Sequence, residues 1–228
     1  MSIDFEKWRR FWSPSSNVAV LRGLVANPHQ WEFERRVHTD MLFRATTDPL
    51  LRSVVEPADD AREVELSLVE IGVGVGRIAG PLSERRWPRI VTGVDVSDAM
   101  LAECAKDWPR VIRKPIPVEG APWGEEIARV RPADVVYSLL CLQHVPTKYL
   151  VNDHLAQACH ALRQHGVLRV QTLRAPPNPC LDSPAFHGAT FATIADFAEA
   201  VEWVGLRVVE AVEGLGHPDW LWITAVKP

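Results

Sequence analysis

The residues with the clearest chemical potential lie in Leu68-Val-Glu-Ile-Gly-Val-Gly-Val-Gly-Arg77, an apolar run, an acid and three glycines at every second position. Such a turn between a strand and a helix lets backbone approach a ligand closely. Gly72 and Gly74 serve the tight turn, and Gly76 lets the start of the helix pack. A dinucleotide site calls for Gly-x-Gly-x-x-Gly, but the third glycine comes one residue early and Arg77 stands in its place. Glu70, just before the first glycine, would repel a pyrophosphate and attract an ammonium group. A second acid, Asp95, ends the next apolar run, Val91-Thr-Gly-Val-Asp-Val-Ser-Asp98. Its two oxygens can accept from both hydroxyls of a ribose, with Val96 and Met100 placed to flank a flat base.

These turns need a sheet to hold them. Apolar runs at 64–71, 90–94, 111–118, 134–140 and 167–173 read as strands. Helical patterns at 77–86, 97–105, 147–162 and 194–204 lie among them. Pro115 and Pro117 assign the third strand to an edge. Strand–helix alternation predicts an α/β sheet with helices on both faces. The last two strands, 206–212 and 220–226, are joined by a short loop and must pair antiparallel. In an open sheet of this kind, ligands bind beyond the carboxyl ends of the strands. The turns after strands one, two and four are thus the candidate site.

Ahead of the sheet, residues 1–60 read as a helical N-terminal cap. Its first helix, 4–12, places Phe5, Trp8 and Trp12 on one face, and a second helix begins near His29 after Asn27-Pro28. Residues 61–228 form the main domain, with a Pro-rich loop insertion at 174–191. Trp8, Trp12, His29 and His38 are candidates for contact with a substrate under this cap. The aromatic stripe serves equally well as simple packing of the cap on the sheet.

Composition narrows the classes further. The chain has 228 residues, 47% hydrophobic and 24% charged, with 25 basic against 29 acidic residues. These values fit a globular α/β domain and argue against disorder or a coiled coil. No basic run marks a nucleic-acid surface, and no apolar run of membrane-spanning length occurs. The opening MSIDFEKWRRFW lacks the apolar stretch of a signal peptide, so a cytoplasmic location is expected. The four cysteines are scattered, with no zinc-type spacing, and His and Asp form no recognisable metal set; no metal is expected.

Glu70-Ile-Gly-Val-Gly-Val-Gly76, Gly93-Val-Asp-Val-Ser97, Asp134-Val-Val-Tyr-Ser-Leu-Leu-Cys-Leu-Gln-His-Val145 and Leu162 through Leu168, taken together, resemble the class I S-adenosylmethionine (SAM)-dependent methyltransferases. The resemblance covers 66–172 well and the cap only in layout. It implies a Rossmann-like three-layer sandwich, with a seven-stranded, mostly parallel sheet and an antiparallel last strand. It also implies SAM as cofactor. Gly72, Gly74 and Gly76 would line its methionine part, Glu70 would sit near its amino group and Asp95 would hold the ribose. Val96 and Met100 would flank the adenine, and Ser138 and Leu139 would face the sulfonium. An acid after strand three commonly meets the adenine; here Glu119 with Gly120 and Ala121 stand nearest to that pattern, and Trp123 either covers the adenine or belongs to the core.

Methyl transfer from a sulfonium is an in-line displacement that mainly needs alignment and a dry site. His144 is the best-placed base should the acceptor arrive protonated, since an imidazole with a pKa of about 6.5 is largely neutral at pH 7. Family members often carry a histidine here for the cofactor pocket instead, and both roles stay open. Pro179-Cys180 lies after strand five, not after strand four where base-modifying enzymes place such a pair. The full cofactor motif set, the short aromatic cap and the absence of a nucleic-acid patch point to a small organic acceptor, a specialised metabolite among the candidates, with O, N and C all open. A protein or RNA methyltransferase and a SAM-binding protein that transfers no methyl remain the alternatives. Oligomeric state is not legible.

Overall fold

The computed structural model describes residues 5–12, 66–84, 90–174 and 188–228. Seven strands form one sheet: β1 (Ser67–Ile71), β2 (Ile90–Asp95), β3 (Ile112–Pro115), β4 (Ala133–Ser138), β5 (Leu162–Leu173), β6 (Arg207–Glu213) and β7 (Trp220–Val226). Their spatial order is β3-β2-β1-β4-β5-β7-β6. The first five run parallel, and β7 is inserted antiparallel between β5 and β6. This is the Rossmann-like, mostly parallel architecture that the motifs imply, with β3 on the edge where its prolines are tolerated.

Side chains alternate across the sheet, as the strand period requires. Val69, Ile71, Val94, Val136 and Leu168 enter one core, with residues from the helices α4 (Trp123–Val130), α5 (Lys148–Ala161) and α6 (Ile194–Trp203). Leu68, Val91, Val135 and Tyr137 enter the other, with residues from α2 (Ala79–Ser83) and α3 (Asp98–Asp107). Burial on both faces explains why β1 and β4 read as nearly unbroken apolar runs. It also makes Glu70, in the middle of this material, costly to place.

Helix starts follow local chemistry. Ser97 accepts from the Met100 N–H, Thr147 from the Leu150 N–H and Thr193 from the Asp196 N–H, the last within a full capping box. The N-terminal helix α1 (Phe5–Phe11) buries Phe5 and Trp8 in the larger core. It is tied down where β2 ends. The Ser97 hydroxyl donates to the Trp12 carbonyl at 3.0 Å, and Arg9 pairs with Asp98 at 3.4 Å.

Some elements differ from the sequence expectation. α4 appears where the sequence reading assigned no element: Pro122 stands at its N-cap, and Trp123, Gly124 and Ile127 face inward while Glu125 and Glu126 are turned outward. α2 starts at Ala79, two residues later than the pattern suggested, because the glycine turn extends through Ile78. β5 begins at Leu162, directly after α5, five residues earlier than the apolar run alone indicated. The early part pairs with Ala133 and with the chain end, where the His165 N–H donates to the Lys227 carbonyl. The second cap helix with His29 and His38, and the loop with Cys180, lie outside the described residues.

The join of α4 to α5 depends on a missing side chain. A Cβ on Gly124 would stand 1.9 Å from the Gln157 carbonyl oxygen, and the Gly124 N–H donates to the Gln157 side chain at 3.0 Å. Backbone cannot yield as a flexible side chain would. Gly124→Ala is expected to destabilise the protein by about 2–3 kcal/mol, a fall in Tm of about 5–10 °C by calorimetry at this chain length.

Candidate active site

β1 lies between β2 and β4, so the crossovers leaving β1 and β4 go to opposite faces and open a crevice at their carboxyl ends. A cavity of about 250 Å³ occupies it. Its wall is drawn from the glycine turn (Glu70 to Val75, with Arg77), the end of β2 (Asp95, Val96) and Met100, and Ile116 after β3. Residues Leu139 to Cys141, Gln143 and His144 after β4, His154 on α5, and Trp8 and Trp12 complete it.

The turn itself depends on left-handed backbone. Gly72, Gly74 and Gly76 have φ of +73°, +53° and +84°, values that side-chain-bearing residues rarely adopt. The first two line the cavity. Gly76 instead faces α3: a Cβ there would come within 2.8 Å of Cys104 and closer still to Trp108. Its service is the close packing of the following helix.

Asp95 binds the two turns together. Oδ2 accepts from the Gly74 N–H at 2.8 Å and Oδ1 from the Ser97 N–H at 2.9 Å. The Val96 N–H is a third backbone donor to this carboxylate, which still retains acceptor capacity. Burial pushes its pKa up to about 6, against the pull of these N–H donors. Glu70 is buried more deeply. Its Oε2 accepts from the Ala79 N–H at 2.9 Å and the Tyr137 hydroxyl at 3.1 Å. Burial drives its pKa up to about 8, with the two hydrogen bonds and the charge of Arg77 opposing. The cavity floor thus holds two acids whose ionised forms are short of compensation.

The other expected residues distribute as follows. Val96, Met100, Leu139, His144, Trp8 and Trp12 all reach the cavity wall. Ser138 does not; its hydroxyl is buried and donates to the Ile71 carbonyl, tying β4 to β1. Glu119 and Gly120 are exposed, Ala121 is in the core, and Ile116 is the residue after β3 that reaches the cavity. Trp123 is core. His29 and His38 lie outside the described residues.

Residues not singled out from the sequence also form the wall. His154 is buried, its pKa is driven down to about 4 by desolvation, and its ring sits 6.2 Å from that of Trp8. Helical periodicity marks it only as an inward position of α5. Gln143 and Cys141 sit in the stretch after β4, whose position at the crevice was the one available signal. The Cys141 thiol is pushed up to about 12 by burial, which leaves it protonated.

Comparison with known proteins decides what kind of site this is. Residues 69–170 match the family described as "Methyltransferase domain". They are a class I SAM-dependent methyltransferase domain. No curated protein matches the chain in sequence. The fold is shared with a TehB-like SAM-dependent methyltransferase from Corynebacterium glutamicum, at 20% identity and a TM-score of 0.56, covering 89% of this chain and all of that one. It is shared with DesVI of Streptomyces venezuelae at 15% identity and TM-score 0.63, covering 94% and 99%. It is shared also with an O-methyltransferase family 2 protein from Planctomyces limnophilus solved in complex with apigenin, at 15% identity and TM-score 0.60, covering 99% of this chain and 62% of that one.

SAM is the cofactor of this methyltransferase domain, and the cavity suits it. A cationic ligand with vicinal hydroxyls compensates two desolvated acids, which a diphosphate would not.

The Glu70 result has a consequence for stability. Between about pH 4.5 and 8 the ligand-free folded protein keeps a proton on Glu70 that the unfolded chain releases, so stability falls as pH rises through that window. Glu70→Gln is expected to raise the stability of the ligand-free protein by roughly 2–4 kcal/mol at pH 8 and to leave it unchanged near pH 4. Paired denaturant titrations at the two pH values check this.

Proposed function

We propose that this methyltransferase domain moves the methyl group of SAM to an O, N or C nucleophile of a small organic molecule that enters beside Trp8 and Trp12. The observation that carries this reading is the cavity wall itself. One side is the acid-bearing glycine turn, and the other is aromatic and apolar, contributed by α1 (Trp8, Trp12) and by Leu139 and Leu140. Such a wall suits a compact, partly flat ligand. The apigenin held by the Planctomyces limnophilus protein of the same fold is consistent with that class.

In this reading Asp95 receives the ribose hydroxyls on its remaining lone pairs, beside the N–H donors that orient it. Val96 and Met100 lie against the adenine, with Ile116 closing the edge. Glu70 faces the amino end of the methionine part, and the ammonium restores its ionised form. Gly72 and Gly74 let the backbone approach. When bound, the sulfonium supplies an already activated methyl group. The chain's part is to align the acceptor and keep water away, for which Leu139, Leu140 and Trp12 are suited.

Three measurements test the reading. Asp95→Ala is expected to weaken SAM binding by on the order of 2–4 kcal/mol by calorimetry, the loss of hydrogen bonds to an ionised acceptor; unchanged affinity overturns the ribose assignment. For the native protein, affinity is expected to fall as pH drops through about 6, where Asp95 takes up its proton. With a methyl-labelled donor and cell extract, label is expected in the low-molecular-mass fraction together with S-adenosylhomocysteine. Label confined to protein or RNA rejects a small acceptor, and absence of S-adenosylhomocysteine rejects methyl transfer.

A further inference from the structure

His144 stands in the cavity wall with its ring 5.2 Å from that of Trp12 in edge contact. A chain of hydrogen bonds that starts at two backbone groups ends at its Nε2. The Gln171 side chain is fully buried on β5. Its Oε1 accepts from the Leu140 N–H at 2.8 Å, and its Nε2 donates to the Thr172 carbonyl at 2.7 Å. Reversing this amide would set NH₂ against an N–H and oxygen against a carbonyl, so its orientation is fixed.

The same Nε2 also donates to Oε1 of Gln143 at 3.1 Å. Reversing Gln143 would oppose two NH₂ groups, so it too has one orientation. Its Nε2, which can only donate, then lies 3.3 Å from Nε2 of His144. The neighbouring backbone holds this geometry: the Gly188 N–H donates to the Gln143 carbonyl at 2.9 Å and the His144 N–H to the Cys141 carbonyl at 2.8 Å. Leu140, which supplies the first donor, has φ of +51°, a backbone state that leucine adopts only when its surroundings enforce it.

We infer that Gln171 and Gln143 are positioning residues that lock His144 in its neutral Nδ1–H tautomer, so that His144 does not act as the base in methyl transfer. Its Nε2 lone pair is committed to Gln143, and its Nδ1 already carries the proton. Protonating Nε2 would turn an acceptor into a second donor facing the Gln143 NH₂. Among the described residues, the other titratable groups of the cavity wall are Glu70, Asp95, Arg77, Cys141 and His154. None of them replaces the Gln143 contact. An acceptor in this cavity therefore brings its own available lone pair, as an unprotonated amine or an acidic hydroxyl does. That consequence rests on the methyl-transfer reading; the tautomer does not.

Long-range ¹H–¹⁵N NMR of the full chain with ¹⁵N-labelled histidine reads the tautomer without any turnover, the His144 signals being assigned by their loss in His144→Asn. The expected result is a neutral Nδ1–H ring that does not titrate across roughly pH 6–8, the range in which an unrestrained imidazole does. Gln143→Glu places an acceptor against Nε2, so the tautomer switches and the ring binds a proton within that range. Gln143→Leu releases the ring to titrate near about 6.5. A native His144 that carries its proton on Nε2, or that titrates within the range, overturns the inference. So does a Gln143→Glu spectrum identical to the native one. S-adenosylhomocysteine assays stand apart: their failure bears on the proposed function and leaves the ring's state untouched.

Discussion

The site depends on one constraint, the double use of the Asp95 carboxylate. It accepts from Gly74 on the turn after β1 and from Ser97 on the turn after β2. Gly74 and Asp95 are 21 residues apart in sequence, and the bond acts together with the Gly72 and Val73 N–H groups, which both donate to the Val94 carbonyl. One buried carboxylate thus joins both turns at the rim of the crevice. The charge comes at the expense of hydration, which is why its proton affinity is raised. Glu70 repeats the arrangement one strand over, holding the start of α2 through Ala79 and the side of β4 through Tyr137. The acids that shape the crevice are the same ones that the proposed function assigns to the cofactor.

Around this centre the fold is conservative in its logic. Both faces of the sheet are covered, so the strands near the middle are mostly apolar, and Glu70, Arg169 and Gln171 are buried there with hydrogen-bond partners. Arg169 shows the pattern away from the site. It is buried on β5, meets Glu210 on β6 and Thr224 on β7, and lies over the Trp222 ring at 4.9 Å. One side chain thus spans the three strands in which direction reverses.

Much of this was legible in the residues. The glycine turn, Asp95, the helices starting at Ser97 and Thr147, and the β6–β7 pair all announce themselves because their determinants lie within a few positions of one another. The edge placement of β3 followed from two prolines. What escaped had its cause elsewhere in the chain. α4 was hidden because Pro122-Trp-Gly looks like a turn, and Gly124 makes sense only against Gln157, 33 residues on. Ile116, instead of the stretch 119–121, reaches the cavity because the loop after Ile116 turns away from it, leaving Glu119 in solvent. The Gln171–Gln143 chain joins residues 28 apart on different elements, and no periodicity marks a glutamine as a fixed amide. Short-range signals gave the frame, while the setting of individual side chains needed the third dimension.

The contribution of α1 has an evolutionary side. Trp8 and Trp12 belong to the opening dozen residues, whereas the acids and glycines of the crevice are confined to 70–95. The two groups meet through the Ser97 hydroxyl to the Trp12 carbonyl and through Trp12 packed on Val75 and Met100. Mutation near the amino terminus can therefore recast one side of the crevice while the acids and glycines keep their own bonds. A lineage carrying this chain could drift between acceptors by editing one short helix.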